Sequence, residues 1–467
     1  AREELIAHQL TVQGVRDSER RHPAPAIAPS SPTAAAFLKA LPFAPTAAQE
    51  RVATELAEDM AKTQPMLRLV QGDVGSGKTL VAMRAALDTI AAGYQVAFMA
   101  PTELLAEQHF VTLDAWLTPL DQSVAWLSSR TKGQARQQVL QQLASGEAPL
   151  IVGTHALFQD DVHFHRLGLI IVDEQHRFGV HQRLSLADKG VGDEHPHQLA
   201  LTATPIPRSL SMVAYGDLDC SVIDELPPGR QPVTTTLMDH TRRDAVMRRV
   251  GSACREGRQA YWVCTAIEGS DTLNIEAAEA TLDQLQHVLP DVQIGLVHGK
   301  LKPAEKAQVM AAFKAGELQL LVATTVIEVG VDVPNASLMI IDNAERLGLA
   351  QLHQLRGRVG RGAVESHCLL LYRQPLSDTA QQRLKVMQES HDGFVIAEAD
   401  LEIRGPGELL GTRQTGLAAF RIALLPEHES LLIEAQDIAE GLYARDPGRA
   451  EALMQRWAGA RADFARV

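Results

Sequence analysis

The chain has 467 residues, of which 45% are hydrophobic and 4% aromatic, and its formal net charge is −13 at pH 7. This length predicts about three globular domains, each large enough for its own hydrophobic core. The negative net charge argues against a largely basic surface that would bind nucleic acid non-specifically, but it is compatible with a local positive patch. No apolar run reaches the roughly 18 residues of a membrane span, and no secretory leader is seen, so we expect a cytoplasmic protein.

The N-terminal segment predicts a helix followed by a linker. Residues 1–21 have the pattern of a charged amphipathic helix, and residues 22–36 contain several prolines, which favours an extended, polyproline-like linker. The chain begins at Ala1, and its first residues already resemble the middle of a helix. We therefore expect a truncated or processed chain. A further helix is predicted over 47–62.

The stretch LVQGDVGSGKT, residues 69–79, organises the following α/β unit. It predicts a buried strand, a glycine turn and a helix that begins at Lys78, and it fits the phosphate-loop pattern Gly-x-x-x-x-Gly-Lys-Thr. Glycines let successive backbone N–H groups converge on phosphate oxygens at the positive end of a helix. Lys78 is predicted to contact the β- and γ-phosphates, and the Thr79 hydroxyl to hold Mg²⁺. The predicted nucleotide-binding residues of the loop are Gly72, Gly75, Ser76, Gly77, Lys78 and Thr79. An ordinary glycine turn, the alternative, leaves the Lys-Thr pair unexplained.

Apolar strands and helices alternate from residue 66 onward, which predicts two parallel sheets covered by helices on both faces. The first set of strands is predicted at 66–71, 96–100, 123–128, 149–153, 168–173 and 198–203. The second is predicted at 233–238, 260–265, 294–298, 319–324, 338–342 and 367–372. A Pro/Gly-rich joint at 225–232 separates the two sets, and a helical hairpin is predicted over 376–400. The resulting domains are 1–36, 37–226, 227–375 and 376–467.

Adjacent carboxylates end the predicted strand 168–173, at the edge where parallel sheets bind ligands. Asp173 is the predicted Mg²⁺ ligand of Walker-B type, and Glu174 is the predicted base that polarises the attacking water. A strand that ends in solvated acids is the alternative. His163-x-His165 and His195-x-His197 lack further spaced ligands, so we expect solvated loops there rather than a metal site.

Arginines recur among glycines in the run 354–362 of the second unit, at Arg356, Arg358 and Arg361. Such a turn is expected to expose guanidinium groups at the surface. When a neighbouring domain binds the nucleotide, an exposed arginine of this kind can act as an arginine finger. A solvated basic loop is the alternative. The glycine-rich loop at 404–416 is not a dinucleotide-binding fingerprint, because its spacing differs and no strand precedes it.

Taken together, the motifs resemble those of superfamily-two helicases, and within them the RecG family of bacterial fork-remodelling DNA helicases. The resemblance covers nearly the whole chain, in the family's order. Phe43 and Gln49 resemble the adenine-reading Q motif, with Pro45 where an aliphatic residue is usual, and residues 72–79 resemble motif I. Motifs Ia, Ib, II and III are matched around Thr102, Thr154, Asp173-Glu174-Gln175-His176, and Thr202 with Thr204. Motif V is matched by 324–332 with Thr324 and Thr325, and motif VI by 354–362, whose catalytic arginines are Arg358 and Arg361. The resemblance implies that the threonines named in motifs Ia, Ib, III and V couple the nucleotide site to DNA.

Two features narrow the resemblance further. The runs DEQHRFGV (173–180) and TPIPR (204–208) are similar to this family, whereas the transcription-repair coupling translocase differs at the Gln-His pair of motif II. The hairpin and loop at 385–416 resemble a translocation element shared by both, with Arg404 and Gln414 as predicted DNA-coupling residues. Family members carry an OB-fold wedge domain before the motor. Residues 1–36 have no β-barrel pattern, so we expect a motor without its wedge.

The resemblance implies an ATP-dependent double-stranded DNA translocase and helicase that uses ATP and Mg²⁺. It implies remodelling of branched DNA in recombination and repair, by fork regression and by Holliday junction formation and migration. The expected protein is monomeric, nucleoid-associated and bound to branched or duplex DNA rather than to membranes. A single-strand-binding protein partner is not readable from the sequence. The alternatives are a coupling-type translocase, an RNA helicase, and a nucleotide-gated DNA-binding module without turnover, against which the full set of catalytic residues speaks.

Overall fold

The computed structural model describes residues 1–174, 189–190, 192–203, 207, 211, 213, 216, 218–227, 230–265, 271–324, 333, 335–360, 362, 364–404, 420–423 and 427–458. Contacts divide the chain into two compact units. Unit 1 comprises Ala1–Gly72, Ser76–Glu225 and Arg404–Val467, and unit 2 comprises Asp73–Gly75 and Leu226–Ile403. The four-part division drawn from the sequence stays a prediction.

Unit 1 is built on a parallel sheet of seven strands. The strands are β1 (Leu67–Gly72), β2 (Gln95–Met99), β3 (Val124–Leu127), β4 (Leu150–Gly153), β5 (Leu167–Asp173), β6 (His197–Thr202) and β7 (Asp219–Ile223). Their spatial order is β3-β4-β2-β5-β6-β1-β7, so β6 lies between β1 and β5. The helices that precede or join these strands are α1 (Arg2–Glu19), α2 (Pro32–Ala40), α3 (Ala47–Met60), α4 (Lys78–Ala91), α5 (Glu103–Leu117) and α6 (Gly133–Ser145).

The sheet of unit 1 is buried on both faces, as its continuous apolar strands predict. In β5, Leu169 and Ile171 belong to one buried cluster, whereas Ile170 and Val172 belong to another. Successive side chains of a strand point to opposite faces, so the two clusters lie on the two sides of the sheet. The strands are parallel, so the carboxyl ends of β1 and β5 lie at the same edge of the sheet, on either side of β6.

Unit 2 contains a second parallel sheet, of six strands in the order β10-β11-β9-β12-β13-β8. The strands are β8 (Thr234–Asp239), β9 (Gln259–Cys264), β10 (Ile294–Val297), β11 (Leu320–Ala323), β12 (Ala336–Asp342) and β13 (His367–Tyr372). Its helices are α7 (Arg243–Arg255), α8 (Asp271–Val288), α9 (Pro303–Lys314), α10 (Leu349–Arg356), α11 (Asp378–Glu389) and α12 (Gly393–Arg404). The predicted class of two tandem parallel-sheet domains with a helical hairpin after them is confirmed. The strand β7 was not predicted.

The N-terminal helix α1 packs against the C-terminal helices α13 (Glu429–Arg445) and α14 (Pro447–Ala458). Leu5 and Leu10 are fully buried in this contact, together with Leu432 of α13. The carboxylate of Glu4 accepts hydrogen bonds from the backbone N–H groups of Ile422 (3.0 Å) and Ala423 (2.9 Å). The two ends of the chain are thus joined within unit 1. Within the described residues, no helix combines the length and apolarity needed to cross a membrane.

The predicted proline-rich linker is wrong in its last residues, because α2 begins at Pro32. Proline fits the first turn of a helix, where its missing N–H has no helical partner, and the Ser31 hydroxyl caps the turn by accepting from Ala34 N. The residues before α2 are also fixed on unit 1. The backbone N–H of Ile27 donates to Met60 O at 2.8 Å, for example. The segment is therefore part of the fold.

His197, at the start of β6, also fixes the segment that precedes α2. Its Nδ1 accepts from the backbone N–H of Met66 at 2.9 Å, so its Nε2 carries the proton and donates to Pro25 O at 2.7 Å. His195 stacks on His22 with ring centroids 3.7 Å apart. The expectation that 195–197 form a solvated loop is wrong. Burial lowers the pKa of His197 to about 4.

Acidification should destabilise unit 1 through His197. In the unfolded chain its pKa is 6.5, so between that value and about 4 the unfolded state binds a proton that the folded state does not. This contribution to the free energy of unfolding is complete above pH 6.5 and is lost as the pH falls towards 4, by about 2 kcal/mol at pH 5. We expect calorimetry to show a falling Tm over this range, with a shallower slope in His197→Asn, whose amide oxygen keeps the Met66 bond. The exposed His163→Asn serves as the control. An unchanged slope in His197→Asn would contradict this assignment.

Candidate nucleotide-binding site

The loop between β1 and α4 has the backbone of a phosphate-binding turn. Gly75 and Gly77 adopt left-handed conformations with φ of 79° and 85°. A Cβ added at Gly77 would collide with the Gln49 amide, and one at Gly72 with the Ser76 hydroxyl. The left-handed backbone favours glycine at Gly77, and a side chain there would also displace the Gln49 amide. The loop ends at the N-terminus of α4, where the backbone N–H groups of the first turn and the helix dipole favour an anion.

Lys78 is folded back over this loop. Its side chain sits on the first turn of α4, only 8% of the residue is exposed, and its Nζ donates to Gly72 O at 2.7 Å. The loop thus holds the ammonium group against its own main chain, at the N-terminus of α4. Thr79 follows as the second residue of α4 and is partly exposed. The predicted helix start at Lys78 is confirmed, whereas the contacts of Lys78 with phosphate and of Thr79 with Mg²⁺ stay predictions.

Gln49 supports the loop from α3. Its Oε1 accepts from Thr46 N at 3.0 Å, and Thr46 Oγ1 accepts from Gln49 N at 3.2 Å, which forms a capping box at the start of α3. Its Nε2 donates to Ser76 O at 2.8 Å. The amide of Gln49 is therefore engaged on both sides by the protein. Phe43 precedes α3 and is half exposed. Adenine reading by Phe43 and Gln49 stays a prediction.

Asp173 and Glu174 lie at the end of β5, on the sheet edge that also carries the loop. Strand pairing aligns Asp173 with Leu201, and Gln71 with Thr202, which places the ends of β1, β6 and β5 side by side. Asp173 Oδ2 lies 2.7 Å from His109 Nε2, and Asp173 Oδ1 accepts from Glu174 N at 3.0 Å. Glu174 has a left-handed backbone with φ of 53°.

The carboxyl group of Asp173 is held in its ionised form. Burial alone would raise the pKa of Asp173, but the hydrogen bond from His109 and the nearby ammonium of Lys78 hold it below its ordinary value. A carboxylate and a hydroxyl are hard oxygen donors of the kind that Mg²⁺ prefers. The ionised Asp173 and the Thr79 hydroxyl therefore fit the predicted magnesium site. His109 lies in none of the motifs by which the sequence predicts the site.

The predicted DNA-coupling residues are mostly buried where the structure describes them. Thr102 caps α5, since its Oγ1 accepts from Leu105 N at 3.4 Å. Thr154, Thr202 and Thr324 are buried at or just after the ends of their strands. Arg404 is the last residue of α12. The predicted positions Thr204, Thr325, Arg361 and Gln414 lie outside the described residues.

Arg356 does not share a presented turn with Arg358. It ends α10 as a buried residue and donates to three main-chain carbonyls at the end of α11, those of Met387 (3.1 Å), Ser390 (2.7 Å) and His391 (3.3 Å). The prediction of three guanidinium groups in one presented turn is wrong for Arg356. Arg358 lies in the turn after α10 and is partly exposed.

Two tandem parallel-sheet units, the first with a phosphate-loop pattern and adjacent carboxylates at the end of β5, are typical of helicase motor proteins. The DEAD/DEAH box helicase family model matches residues 46–213, and the helicase conserved C-terminal domain matches 243–363. The model of domain 3 of the ATP-dependent DNA helicase RecG, C-terminal part, matches 390–456. The chain belongs to the RecG family of ATP-dependent DNA helicases.

Named relatives cover nearly all of the chain. The ATP-dependent DNA helicase RecG of Escherichia coli (strain K12) is 61% identical over 457 residues, which are 97% of this chain and 66% of the relative. That of Pasteurella multocida (strain Pm70) is 56% identical over 467 residues, which are 100% of this chain and 67% of the relative. A solved structure of RecG bound to a three-way DNA junction aligns with a TM-score of 0.75 and 41% identity over 92% of this chain and 56% of that chain. The chain thus spans about two thirds of its relatives' length.

Proposed function

We propose that this chain is the motor of an ATP-dependent double-stranded DNA translocase and helicase that remodels branched DNA in recombination and repair. The observation that carries the proposal is the placement of the buried Lys78, which follows β1, and of Asp173, which ends β5, at one sheet edge of unit 1. Family membership supports it, as does the likeness to RecG bound to a three-way junction. Fork regression and Holliday junction formation and migration are the corresponding reactions.

Each residue of the site has a chemical role in this proposal. Lys78 and the N–H groups of the loop hold the triphosphate. Thr79 and Asp173 hold Mg²⁺, which when bound neutralises phosphate charge. Glu174 orients the attacking water and accepts its proton. Arg358 and Arg361 stabilise the charge that develops in the transition state.

The motor moves along duplex DNA through contacts to the phosphate backbone of the DNA. We therefore propose that DNA binding depends little on base sequence and weakens as salt rises. The threonines of motifs Ia, Ib, III and V couple nucleotide state to DNA, and so do Arg404 and Gln414 of the translocation loop. The protein acts as a monomer associated with the nucleoid. A single-strand-binding protein remains an open partner.

The proposal is tested by the ATPase rate of this chain alone, with duplex DNA, with a three-way junction and with RNA. We expect each DNA to raise kcat by at least about tenfold over the chain alone, which corresponds to a barrier lower by about 1.4 kcal/mol. The stimulation should weaken steeply as salt rises. Stimulation by RNA to the same level would favour an RNA helicase, since a reader of the 2′-OH prefers RNA. Nucleotide binding without hydrolysis under all four conditions would instead indicate a gated binding module.

A further inference from the structure

We propose that His109 is a positioning residue for ATP hydrolysis, which fixes the orientation of the Asp173 carboxylate and so the metal that this carboxylate holds. The inference rests on the proposed function, since it assigns a supporting residue to the same nucleotide site. The observation that supports the inference is the 2.7 Å contact between His109 Nε2 and Asp173 Oδ2. Both side chains are nearly buried, with 11% and 13% of their surfaces exposed.

His109 is itself held in place by the core of unit 1. It projects from the buried face of α5, which also carries the fully buried Ala106 and Leu113. Its ring packs on Phe98 of β2, with centroids 4.6 Å apart and planes inclined by 48°. Phe98 is fully buried, and its strand pairs directly with β5. The ring thus has a fixed position relative to the end of β5.

The geometry determines which atom donates. An ionised carboxylate has only acceptors, so His109 Nε2 carries the hydrogen. Asp173 then accepts one bond at each oxygen, from His109 at Oδ2 and from Glu174 N at Oδ1. Two directional bonds fix the rotation of the carboxylate, and each oxygen keeps a further lone pair for a cation. Partners of this kind, which orient a metal ligand, are worth about 10- to 100-fold in metal affinity or activity.

Three substitutions distinguish the effect of the His109 N–H donor from the effect of its ring packing on Phe98. His109→Phe keeps a ring against Phe98 and removes the donor. His109→Gln restores an N–H close to the position of Nε2, whereas His109→Asn offers the same amide on a side chain one methylene shorter. The exposed His163→Phe controls for a histidine-to-phenylalanine change in the same unit. Because Gln and Asn both remove the ring, their comparison remains informative even where the Phe variant folds poorly.

Two measurements test the proposal, together with the Tm of each variant. The first is kcat and KM for ATP with saturating duplex DNA, and the second is the affinity for Mn²⁺ in the presence of ADP, measured by electron paramagnetic resonance without turnover. We expect His109→Phe and His109→Asn to lose about 10- to 100-fold in kcat and in Mn²⁺ affinity. We expect His109→Gln to recover to within about threefold of the native chain, at a Tm close to that of His109→Asn.

Equal loss in the Gln and Asn variants, or native values in the Phe variant, would overturn the positioning role. A native chain that binds Mn²⁺ and ADP but hydrolyses no ATP would overturn the proposed function instead. In that case the Mn²⁺ affinities of the variants still decide the role of His109. The two failures are therefore distinguishable.

Discussion

Lys78→Ala is expected to lower kcat/KM for ATP by at least about 10³-fold, to the limit of detection. The ammonium group of Lys78 is the cation that the loop holds against its own carbonyl, 2.7 Å from Gly72 O. Its removal leaves the β- and γ-phosphates without that charge in both the bound state and the transition state. Affinity and turnover should therefore fall together.

The measurement is steady-state ATPase with saturating duplex DNA, accompanied by binding of a fluorescent ATP analogue. Lys62→Ala is the matched control, since Lys62 is exposed and pairs with Asp59 at 2.6 Å on the same unit. Asp59 keeps its ion pair with Arg68 at 2.6 Å when Lys62 is replaced, so the control should keep the native rate. A Lys78→Ala variant that hydrolyses ATP near the native rate would show that the phosphate-loop assignment is wrong.

The core of the fold could be predicted because its signals are local and periodic. Continuous apolar runs alternate with amphipathic helices, and each run appears as a strand within one or two residues of its predicted bounds. The missed strand β7 lies at the edge of its sheet, and its burial is mixed, so it lacks the apolar run that marks the others. The helix α2 was missed because Pro32, which starts it, also fits a linker.

The supporting contacts of the site could not be predicted, because they join residues distant in sequence. His109 and Asp173 are 64 residues apart, and the carbonyls bound by Arg356 lie 31 to 35 residues beyond it. A local pattern carries no information on such pairs. Arg356 is an example. It lies among glycines and arginines, a sequence pattern typical of an exposed basic turn, yet its guanidinium group is buried.

Arg361→Ala is expected to leave nucleotide affinity near the native value and to lower kcat by about 10³- to 10⁵-fold. The reason is that a finger arginine meets charge that develops only in the transition state, so its loss changes the barrier and not the ground state. Arg358→Ala should show the same separation of affinity from turnover. The measurements are kcat with duplex DNA, the Kd of a non-hydrolysable ATP analogue, and the Tm.

Arg356→Ala provides the contrast within the same run. The buried guanidinium of Arg356 bonds three carbonyls at the end of α11, so its removal leaves buried acceptors without donors and should lower the Tm. Arg361→Ala should keep the native Tm. If Arg361→Ala lowered nucleotide affinity as much as turnover, Arg361 would be a structural residue like Arg356 and not an arginine finger. A loss confined to turnover identifies the arginine that acts on the transition state, and it separates the catalytic from the structural guanidinium groups of motif VI.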